Sequence, residues 1–241
     1  MTRESRISSS SRLDGTVRSI ETPEGEARAV VSPADRERLT LVLGHGAGGG
    51  IEAPDLVALA HALPTQGVTV IRVEQPWRVA GRRVATRPAA LDVAWSAVLA
   101  ELALAGPVVA GGRSAGARVA CRTAVSVGAM GCLALAFPLH PPGRPETSRI
   151  GELTAAGVPT LVVQGDRDSF GGPPEFPQLA AGIVVRRVPF ADHSMRVAKS
   201  APVTQREALS LVVDAVSRWC RTLVPTRVGR VFDAPTADPT R

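Results

Sequence analysis

Short apolar segments alternate along this chain with longer segments whose apolar residues recur at helical spacing. The short segments are continuous apolar runs, which are typical of strands buried on both faces of a sheet. They lie at residues 39–43, 67–73, 131–137, 159–164 and 183–188, with one more starting at Pro107. A hairpin of residues 16–20 and 27–32 is predicted ahead of them. This alternation predicts an α/β fold with a doubly wound, mostly parallel sheet and helices on both faces.

Helices are predicted between these strands from the spacing of leucine, valine and alanine. One covers residues 52–63, a second begins at Pro88, and a short one covers residues 149–155. The last helix begins at Thr204, where the pattern Thr-Gln-Arg-Glu forms a capping box. Trp95 recurs in phase with the apolar face of the second helix, so we expect it in the core.

One strand ends at paired glycines and is followed at once by a helix of small residues. The junction, Gly112-Arg113-Ser114-Ala115-Gly116, fits the pattern G-x-S-x-G. Between a buried strand and a helix, this pattern forms a sharp turn that exposes the serine hydroxyl at the carboxyl edge of the sheet. Glycine is needed at both ends because a larger side chain would collide with neighbouring backbone. Ser114 is therefore the candidate nucleophile.

A serine nucleophile needs a histidine to take its proton and a carboxylate to orient that histidine. On a strand–turn–helix scaffold the three follow in the order serine, acid, histidine. His193 lies in the loop after the last predicted strand, whereas the other histidines lie in a glycine run, a helix and a loop between prolines: His45, His61 and His140. The acid is Asp166 or Asp168, of which Asp168 is further out and better placed to reach an imidazole. Asp192 is expected to support the loop of His193.

Backbone N–H groups should stabilise the oxyanion of such a reaction. One donor is Ala115, directly after the nucleophile, and the other is Gly46 or Ala47 in the glycine run after the first central strand. A phosphate-binding role for this run is disfavoured, since it lacks the lysine of a P-loop and no acidic residue follows at the distance of a dinucleotide fold.

Length and composition suit one globular domain, which we place at residues 15–223. Residues 1–14 and 224–241 are polar or proline-rich and are predicted to be a disordered N-terminal tail and a loose C-terminal tail. The net charge of +6 comes from arginines scattered among acids, with Lys199 the only lysine. We therefore expect no nucleic-acid partner.

The remaining composition restricts location and cofactors. No apolar run reaches the roughly 20 residues of a membrane span, and the first residues lack the apolar core of a signal peptide, so we expect a cytoplasmic protein. The three cysteines are far apart in apolar segments, which indicates small buried side chains: Cys121, Cys132 and Cys220. We expect no cofactor and no metal site; the oligomeric state is not predicted.

Several motifs occurring in order resemble the α/β-hydrolase superfamily. They lie at residues 43–50, 74–83, 111–116, 137–143, 164–171 and 191–194. The chain is similar more narrowly to the small branch of testis-expressed protein thirty and subunit three of the non-specific-lethal complex, near the dienelactone-hydrolase-like enzymes. The resemblance implies Ser114 as nucleophile, Asp168 as acid and His193 as base. It also implies a fold without a cap domain, because only residues 138–158 lie where larger relatives insert one.

The leading hypothesis is a serine hydrolase that cleaves a small carboxylic ester or thioester through an acyl-enzyme, with a small-molecule acyl substrate. The alternative is a catalytically silent interaction module on the same fold, since some members of the similar branch act as complex subunits. Four arginines near the predicted site favour an anionic substrate if they face it, although surface positions are the simpler interpretation: Arg78, Arg82, Arg83 and Arg113.

Overall fold

The computed structural model describes residues 15–224, and within them eight strands form one sheet. The strands are β1 (Thr16–Thr22), β2 (Gly25–Ser32), β3 (Leu39–Gly44), β4 (Val68–Glu74), β5 (Val108–Arg113), β6 (Gly131–Leu135), β7 (Thr160–Gly165) and β8 (Ile183–Val188). Their order across the sheet is β1-β2-β4-β3-β5-β6-β7-β8. Strands β3 to β8 run parallel, while β1 and β2 pair antiparallel at one edge. The predicted α/β fold class is thus confirmed.

Six α-helices connect or cover the strands within the described chain. They are α1 (Pro54–Ala62), α2 (Pro76–Val79), α3 (Pro88–Leu102), α4 (Ala115–Thr123), α5 (Ile150–Thr154) and α6 (Gln205–Leu223). As predicted, α6 begins with a capping box, in which the Thr204 hydroxyl accepts from the N–H of Glu207 and the Glu207 carboxylate accepts from the N–H of Thr204. No helix of residues 15–224 is both long enough and apolar enough to cross a membrane.

The core consists of two apolar layers, one on each face of the sheet. Alternate residues of each central strand point to opposite faces, so Val42 enters one layer while Leu41 and Leu43 enter the other. Helices α3, α4 and α5 cover the first layer, in which Trp95 is 1% exposed as predicted. Helices α1 and α6 cover the second. Burial on both faces explains why the central strands are continuous apolar runs.

The chain reverses its direction of winding between β3 and β5. After β3 it moves outward to β4, and it then returns to the other side of β3 to form β5. The loops that follow β3 and β5 therefore diverge above adjacent strand ends, where Gly44 pairs with Gly112. This switch point is the place where ligand sites form in open α/β sheets.

Three glycines allow α4 to begin directly against β3. A Cβ on Gly112 would lie 2.5 Å from the carbonyl oxygen of Gly44, and one on Gly116 would lie 2.5 Å from both the carbonyl carbon and oxygen of Gly44. Backbone contacts backbone at these positions, so no larger residue fits without moving β3 or α4. The collision predicted for the two ends of the G-x-S-x-G pattern is confirmed.

The structure corrects the predicted limits of some elements. Helix α2 was not among the predicted helices; it forms because Pro76 starts a helical turn that buries Trp77. Strand β6 ends at Leu135 rather than at residue 137, since Ala136 has a φ of 45° and turns the backbone. The predicted tails, residues 1–14 and 224–241, lie outside the described residues except for Val224.

We expect Gly116→Ala to destabilise the protein by roughly 1–3 kcal/mol or more, because the added methyl group meets the backbone of Gly44. The matched control is Gly151→Ala in α5, where no atom other than those of the adjoining residues and the helix's own backbone lies within 4 Å of the added group. Alanine has the higher helix propensity, so this control should gain about 0.5–1 kcal/mol. Urea denaturation measures both values, and equal stability of the two variants would contradict the close approach.

Candidate active site

Ser114 lies in a strained turn between β5 and α4. Its backbone has φ 52° and ψ −113°, a conformation that costs on the order of 1–3 kcal/mol for a residue with a side chain. The Ser114 N–H donates a 2.9 Å hydrogen bond to the carbonyl of Leu135, and its own carbonyl accepts one from Arg118 at 3.2 Å. Packing against β3 and these bonds hold the turn in place, so the hydroxyl has a fixed position at the edge of the sheet.

Three side chains predicted from the sequence form one hydrogen-bonded chain. His193 Nε2 lies 2.9 Å from Ser114 Oγ, and His193 Nδ1 lies 2.9 and 2.8 Å from the two carboxylate oxygens of Asp168. Since an ionised carboxylate can only accept a hydrogen bond in this contact, Nδ1 carries the hydrogen and Nε2 is left to accept from the serine. The arrangement can move a proton from the serine hydroxyl to the imidazole.

The Asp168 carboxylate is held by donors on every side and is shielded from water. Its side chain is 0% exposed. Oδ2 also accepts a 2.8 Å hydrogen bond from Gln164 Nε2, and Oδ1 accepts one of 2.8 Å from the N–H of Phe170. A buried charge with satisfied hydrogen bonds is rigid, so Asp168 can fix the orientation of His193.

The imidazole of His193 is further positioned by an aromatic ring. Phe170 stacks on it with 4.1 Å between ring centroids and an interplanar angle of 29°. The His193 side chain is 18% exposed, so one edge faces solvent while a face is covered. The backbone of its loop is closed by Asp192, whose Oδ1 accepts from the N–H groups of Ser194 and Arg196. Asp192 thus supports the loop, as predicted.

Arg113 connects three segments of the site. It lies in the turn of residues 112–116, called the nucleophile turn after its predicted role, and it contacts α1 and the loop of residues 189–196, called the histidine loop. Arg113 Nε donates a 3.0 Å hydrogen bond to Asp55 Oδ2 at the start of α1, and Arg113 Nη2 donates to the backbone carbonyl of His193. The Asp55 side chain is fully buried and that of Arg113 is 10% exposed. Because both charges are paired away from water, the guanidinium holds α1, the nucleophile turn and the histidine loop in one arrangement.

The loop after β3 is fixed by His45, which is not one of the hydrogen-bonded side chains that lead to Ser114. His45 Nε2 accepts a 3.1 Å hydrogen bond from the N–H of Gln75, and Nδ1 donates to the carbonyl of Gly46 at 2.9 Å. Burial lowers the pKa of His45 and Arg78 lowers it further, so the ring is neutral. The carbonyl of Gly46 also accepts from the N–H of Gly49. This loop therefore has one fixed conformation beside Ser114.

These groups face an open cleft of about 550 Å³. Its walls include the loop of residues 46–50, Pro138 and the loop of His193. Between β6 and β7 the described chain contains only residues 136–159 with the five-residue helix α5, so no cap domain covers the cleft. Ser114 is consequently open to solvent from the carboxyl edge of the sheet.

Comparison with known families agrees with this geometry. Residues 37–221 match the family described as an alpha/beta hydrolase domain, which is most of the chain. The protein belongs to this α/β hydrolase family. No curated protein matches the sequence at a significant level. The narrower branch that the sequence resembles is not distinguished by this match and stays a prediction.

Solved structures with the same fold include hydrolases without a lid. A lidless α/β serine hydrolase of Xanthomonas campestris has a TM-score of 0.67 at 20% identity, over 86% of this chain and 95% of its own. A thermophilic esterase of Thermogutta terrifontis, solved with malate bound, has a TM-score of 0.63 at 17% identity over 87% and 100%. Dienelactone hydrolase of Anabaena variabilis has a TM-score of 0.66 at 16% identity over 87% and 97%. The shared fold is thus that of the α/β hydrolases.

The other candidates proposed for the acid and base lie elsewhere in this hydrolase-family domain. Asp166 forms an ion pair of 3.3 Å with Arg187, so of the two carboxylates in this turn it is Asp168 that contacts His193. His61 is exposed on α1. His140 contacts Glu175 rather than the serine.

Of the four arginines predicted near the site, three are exposed, which confirms the surface interpretation for Arg78, Arg82 and Arg83. Arg78, Arg82 and Arg83 do not line the cleft, and Arg113 lines it with its charge paired to Asp55. The arginines that line it beside Arg113 were not predicted: Arg118, Arg149 and Arg196. They come from α4, from the segment before α5 and from the histidine loop, which the sequence separates widely.

The residues that support the hydrogen-bonded chain were not predicted from the sequence. Gln164 is a polar residue near the end of an otherwise apolar buried strand, which was a usable signal, since a buried amide needs partners. Its Nε2 donates to Asp168 and also to the carbonyls of Gly171 at 2.7 Å and Phe137 at 3.2 Å. Asp55 had no such signal, because an acidic residue in the first turn of a helix is common.

We expect Arg113→Met to destabilise the protein by about 3–5 kcal/mol, because it leaves the Asp55 carboxylate buried without its partner. Combining it with Asp55→Leu should restore much of this loss, which a double-mutant cycle in urea measures. The control is Arg218→Met, which removes an exposed i,i+4 contact of 3.9 Å with Asp214 and should change stability by less than about 0.5 kcal/mol. Additive losses at Arg113 and Asp55 would show that the pair is not coupled.

A second ion pair ties the loop after β7 to the loop after β6 and depends on pH. His140 Nδ1 donates to the carbonyl of Pro141 and Nε2 donates to Glu175 Oε2, each at 2.9 Å, and these two acceptors raise the pKa of His140. The ion pair between His140 and Glu175 is therefore fully formed below the usual histidine pKa and is lost as pH rises through the raised pKa of His140.

NMR titration of the His140 ring should give a pKa above the usual histidine value, and Glu175→Gln should lower it, because the carboxylate that stabilises the imidazolium is removed. Glu146→Gln is the control, since this exposed glutamate bonds to Thr147 and not to a histidine. An unchanged pKa in Glu175→Gln would contradict the assigned contact.

Proposed function

We propose that this protein is a serine hydrolase that cleaves a small carboxylic ester or thioester through a covalent acyl-enzyme. The observation that carries the proposal is the continuous hydrogen-bonded chain from buried Asp168 through His193 to Ser114, which ends in an open cleft. Membership of the α/β hydrolase family supports the reaction class. An esterase and a dienelactone hydrolase among the similar folds support ester chemistry.

The first half of the reaction forms the acyl-enzyme. His193 Nε2 accepts the hydroxyl proton while Ser114 Oγ bonds to the carbonyl carbon, and the carbonyl π electrons move to oxygen. When this tetrahedral intermediate collapses, the bond to the alcohol or thiol breaks and the leaving group takes the proton from His193. Asp168 accepts from Nδ1 throughout, which keeps Nε2 towards Ser114 and stabilises the imidazolium.

The second half of the reaction repeats these steps with water. His193 takes a proton from a water molecule as its oxygen attacks the acyl carbon, and the carboxylic acid leaves as Ser114 recovers its proton. The open side of the cleft gives water a route to the acyl-enzyme without movement of a lid. The same openness suits a small acyl group, because no further wall is present to enclose a long chain.

Two backbone N–H groups are proposed to bind the oxyanion. Ala115 is the first residue of α4, so its N–H has no partner within the helix, and the helix N-terminus favours negative charge. In the loop after β3, the Gly46 carbonyl accepts from His45 and Gly49. The N–H of Ala47 belongs to the same planar peptide and points the opposite way, which favours Ala47 over Gly46 as the second donor. A Cβ on Gly46 would lie 3.3 Å from Ser114 Cβ, so this loop is close enough to act.

Labelling with a fluorophosphonate probe tests the activated serine. We expect the wild type to react, and Ser114→Ala and His193→Ala to lose labelling, because the first removes the nucleophile and the second removes the base. Asp168→Asn should slow hydrolysis of 4-nitrophenyl acetate by about 10⁴-fold, as loss of the orienting carboxylate does in such triads. Ser194→Ala is the matched control, since Ser194 also lines the cleft but does not contact His193 Nε2.

The same experiment distinguishes a catalytically silent interaction module. A folded wild type that neither reacts with the probe nor hydrolyses oxygen esters or acetyl thioesters would contradict the hydrolase proposal. Labelling that persists in Ser114→Ala would place the reactive residue elsewhere. Circular dichroism of each variant confirms that a loss of labelling is not a loss of fold.

A further inference from the structure

The cleft beside Ser114 contains more positive charge than its carboxylates balance. Four arginines line it: Arg113, Arg118, Arg149 and Arg196. The only acidic residue of its lining is Glu52. The positive charge that is available to a ligand depends on which of these arginines already have carboxylate partners within the described chain.

Two of the four arginines have carboxylate partners. Arg113 pairs with Asp55, as described above. Arg118 binds both oxygens of Glu152 in α5, with its Nε at 2.7 Å from Oε2 and its Nη2 at 2.6 Å from Oε1. Glu152 also accepts from Arg122, which is itself paired with Asp92. Each charge in this network faces an opposite one, so Arg113 and Arg118 have structural roles.

Arg149 is a partly buried cation without a carboxylate partner. Among residues 15–224 its guanidinium makes one hydrogen bond, from Nη1 to the carbonyl of Pro138 at 3.1 Å, although a guanidinium has five donors. Burial lowers the pKa of Arg149, and the guanidiniums of Arg118 and Arg144 lower it further against the opposite effect of Glu152. An anion in the cleft would compensate this charge.

Arg196 also lines the cleft, from the histidine loop. Two hydrogen bonds to Asp192 fix its backbone. The Asp192 N–H donates to the Arg196 carbonyl, and the Asp192 carboxylate accepts from the Arg196 N–H. The exposed side chain makes no hydrogen bond or ion pair with any residue between 15 and 224. It can therefore bind a ligand charge without breaking an existing contact.

We propose that the substrate is an ester or thioester that carries a carboxylate, and that Arg149 and Arg196 bind this carboxylate while Ser114 attacks the ester. The inference rests on the proposed function and adds the substrate class. With Arg113 and Arg118 neutralised, Arg149 and Arg196 are the guanidiniums of the lining that can bind one carboxylate. Glu52 and Arg78 both lie by Gly50, so their opposite charges offset each other at that end of the cleft.

Matched pairs of a carboxylate and its carboxamide test the proposal. Monomethyl succinate and methyl succinamate differ only in charge on the acyl side, and 4-acetoxybenzoate and 4-acetoxybenzamide differ only in charge on the alcohol side. In at least one pair the wild type should have a kcat/KM about 10-fold or more higher for the carboxylate, because hydrogen bonds to a charged group contribute that much. The pair that shows the preference identifies the side of the ester that carries the charge.

The variants Arg149→Met and Arg196→Met should each reduce this preference by roughly 10-fold while kcat/KM for the carboxamide changes little. Arg149→Lys keeps the charge and should retain part of the preference. Arg83→Met is the control, because Arg83 is exposed and does not line the cleft. A purely structural role for Arg149 would lower activity on both members of a pair and leave their ratio unchanged.

Failure of this proposal and failure of the proposed function give different results. Normal fluorophosphonate labelling with equal kcat/KM for both members of both pairs would overturn the carboxylate site and leave the hydrolase standing. Calorimetric titration of Ser114→Ala with the same four compounds measures recognition without catalysis. Tighter binding of the carboxylate than of its carboxamide supports the site even where no ester is cleaved. This difference should disappear in the double variant that combines Ser114→Ala with Arg149→Met. Equal binding to Ser114→Ala, or none, overturns the site.

Discussion

The nucleophile turn depends on the contact between its own backbone and the backbone of β3. Gly112 and Gly116 lie so close to Gly44 that a single methyl group would be 2.5 Å from a main-chain atom. This contact lets α4 start directly beneath Ser114 and holds the serine in a conformation that an isolated peptide would leave. The same contact sets the loop after β3 beside the serine, so Ser114 and the proposed oxyanion donors share one constraint.

Buried polar contacts extend that constraint to the rest of the site. Asp168 lies in a pocket where Gln164, a backbone N–H and His193 satisfy its charge, and Arg113 joins Asp55 to the histidine loop. Each charge is paired and shielded, so a change of loop position would leave a charge unpaired in a poorly solvated place. The imidazole is therefore fixed in position, which would lower the reorganisation that the proposed reaction requires.

The described chain has no cap domain over the cleft, and the cleft is therefore open to solvent. Larger enclosures bind substrates by apolar contact, whereas this site is open and lined by arginines and glycine backbone. Recognition in such a site relies on charge and directional hydrogen bonds, which discriminate between ligands of similar size. Structural arginines paired to Asp55 and Glu152 stand beside arginines without a carboxylate partner, so position in the fold decides which of them can meet a ligand.

The sequence by itself determined the α/β class, the buried strands, the strand–turn–helix around Ser114 and the loop of His193. These features depend on local periodicity and on glycine spacing, which short-range sterics dictate. The sequence also favoured Asp168 over Asp166 as the acid. Tertiary structure decided the strand order, the Arg113–Asp55 pair and the identity of the arginines in the cleft. Ser114 and His193 are 79 residues apart, and Arg113 and Asp55 are 58 apart. Such contacts depend on how separate loops lie together at one edge of the sheet, and a local sequence pattern does not predict that arrangement.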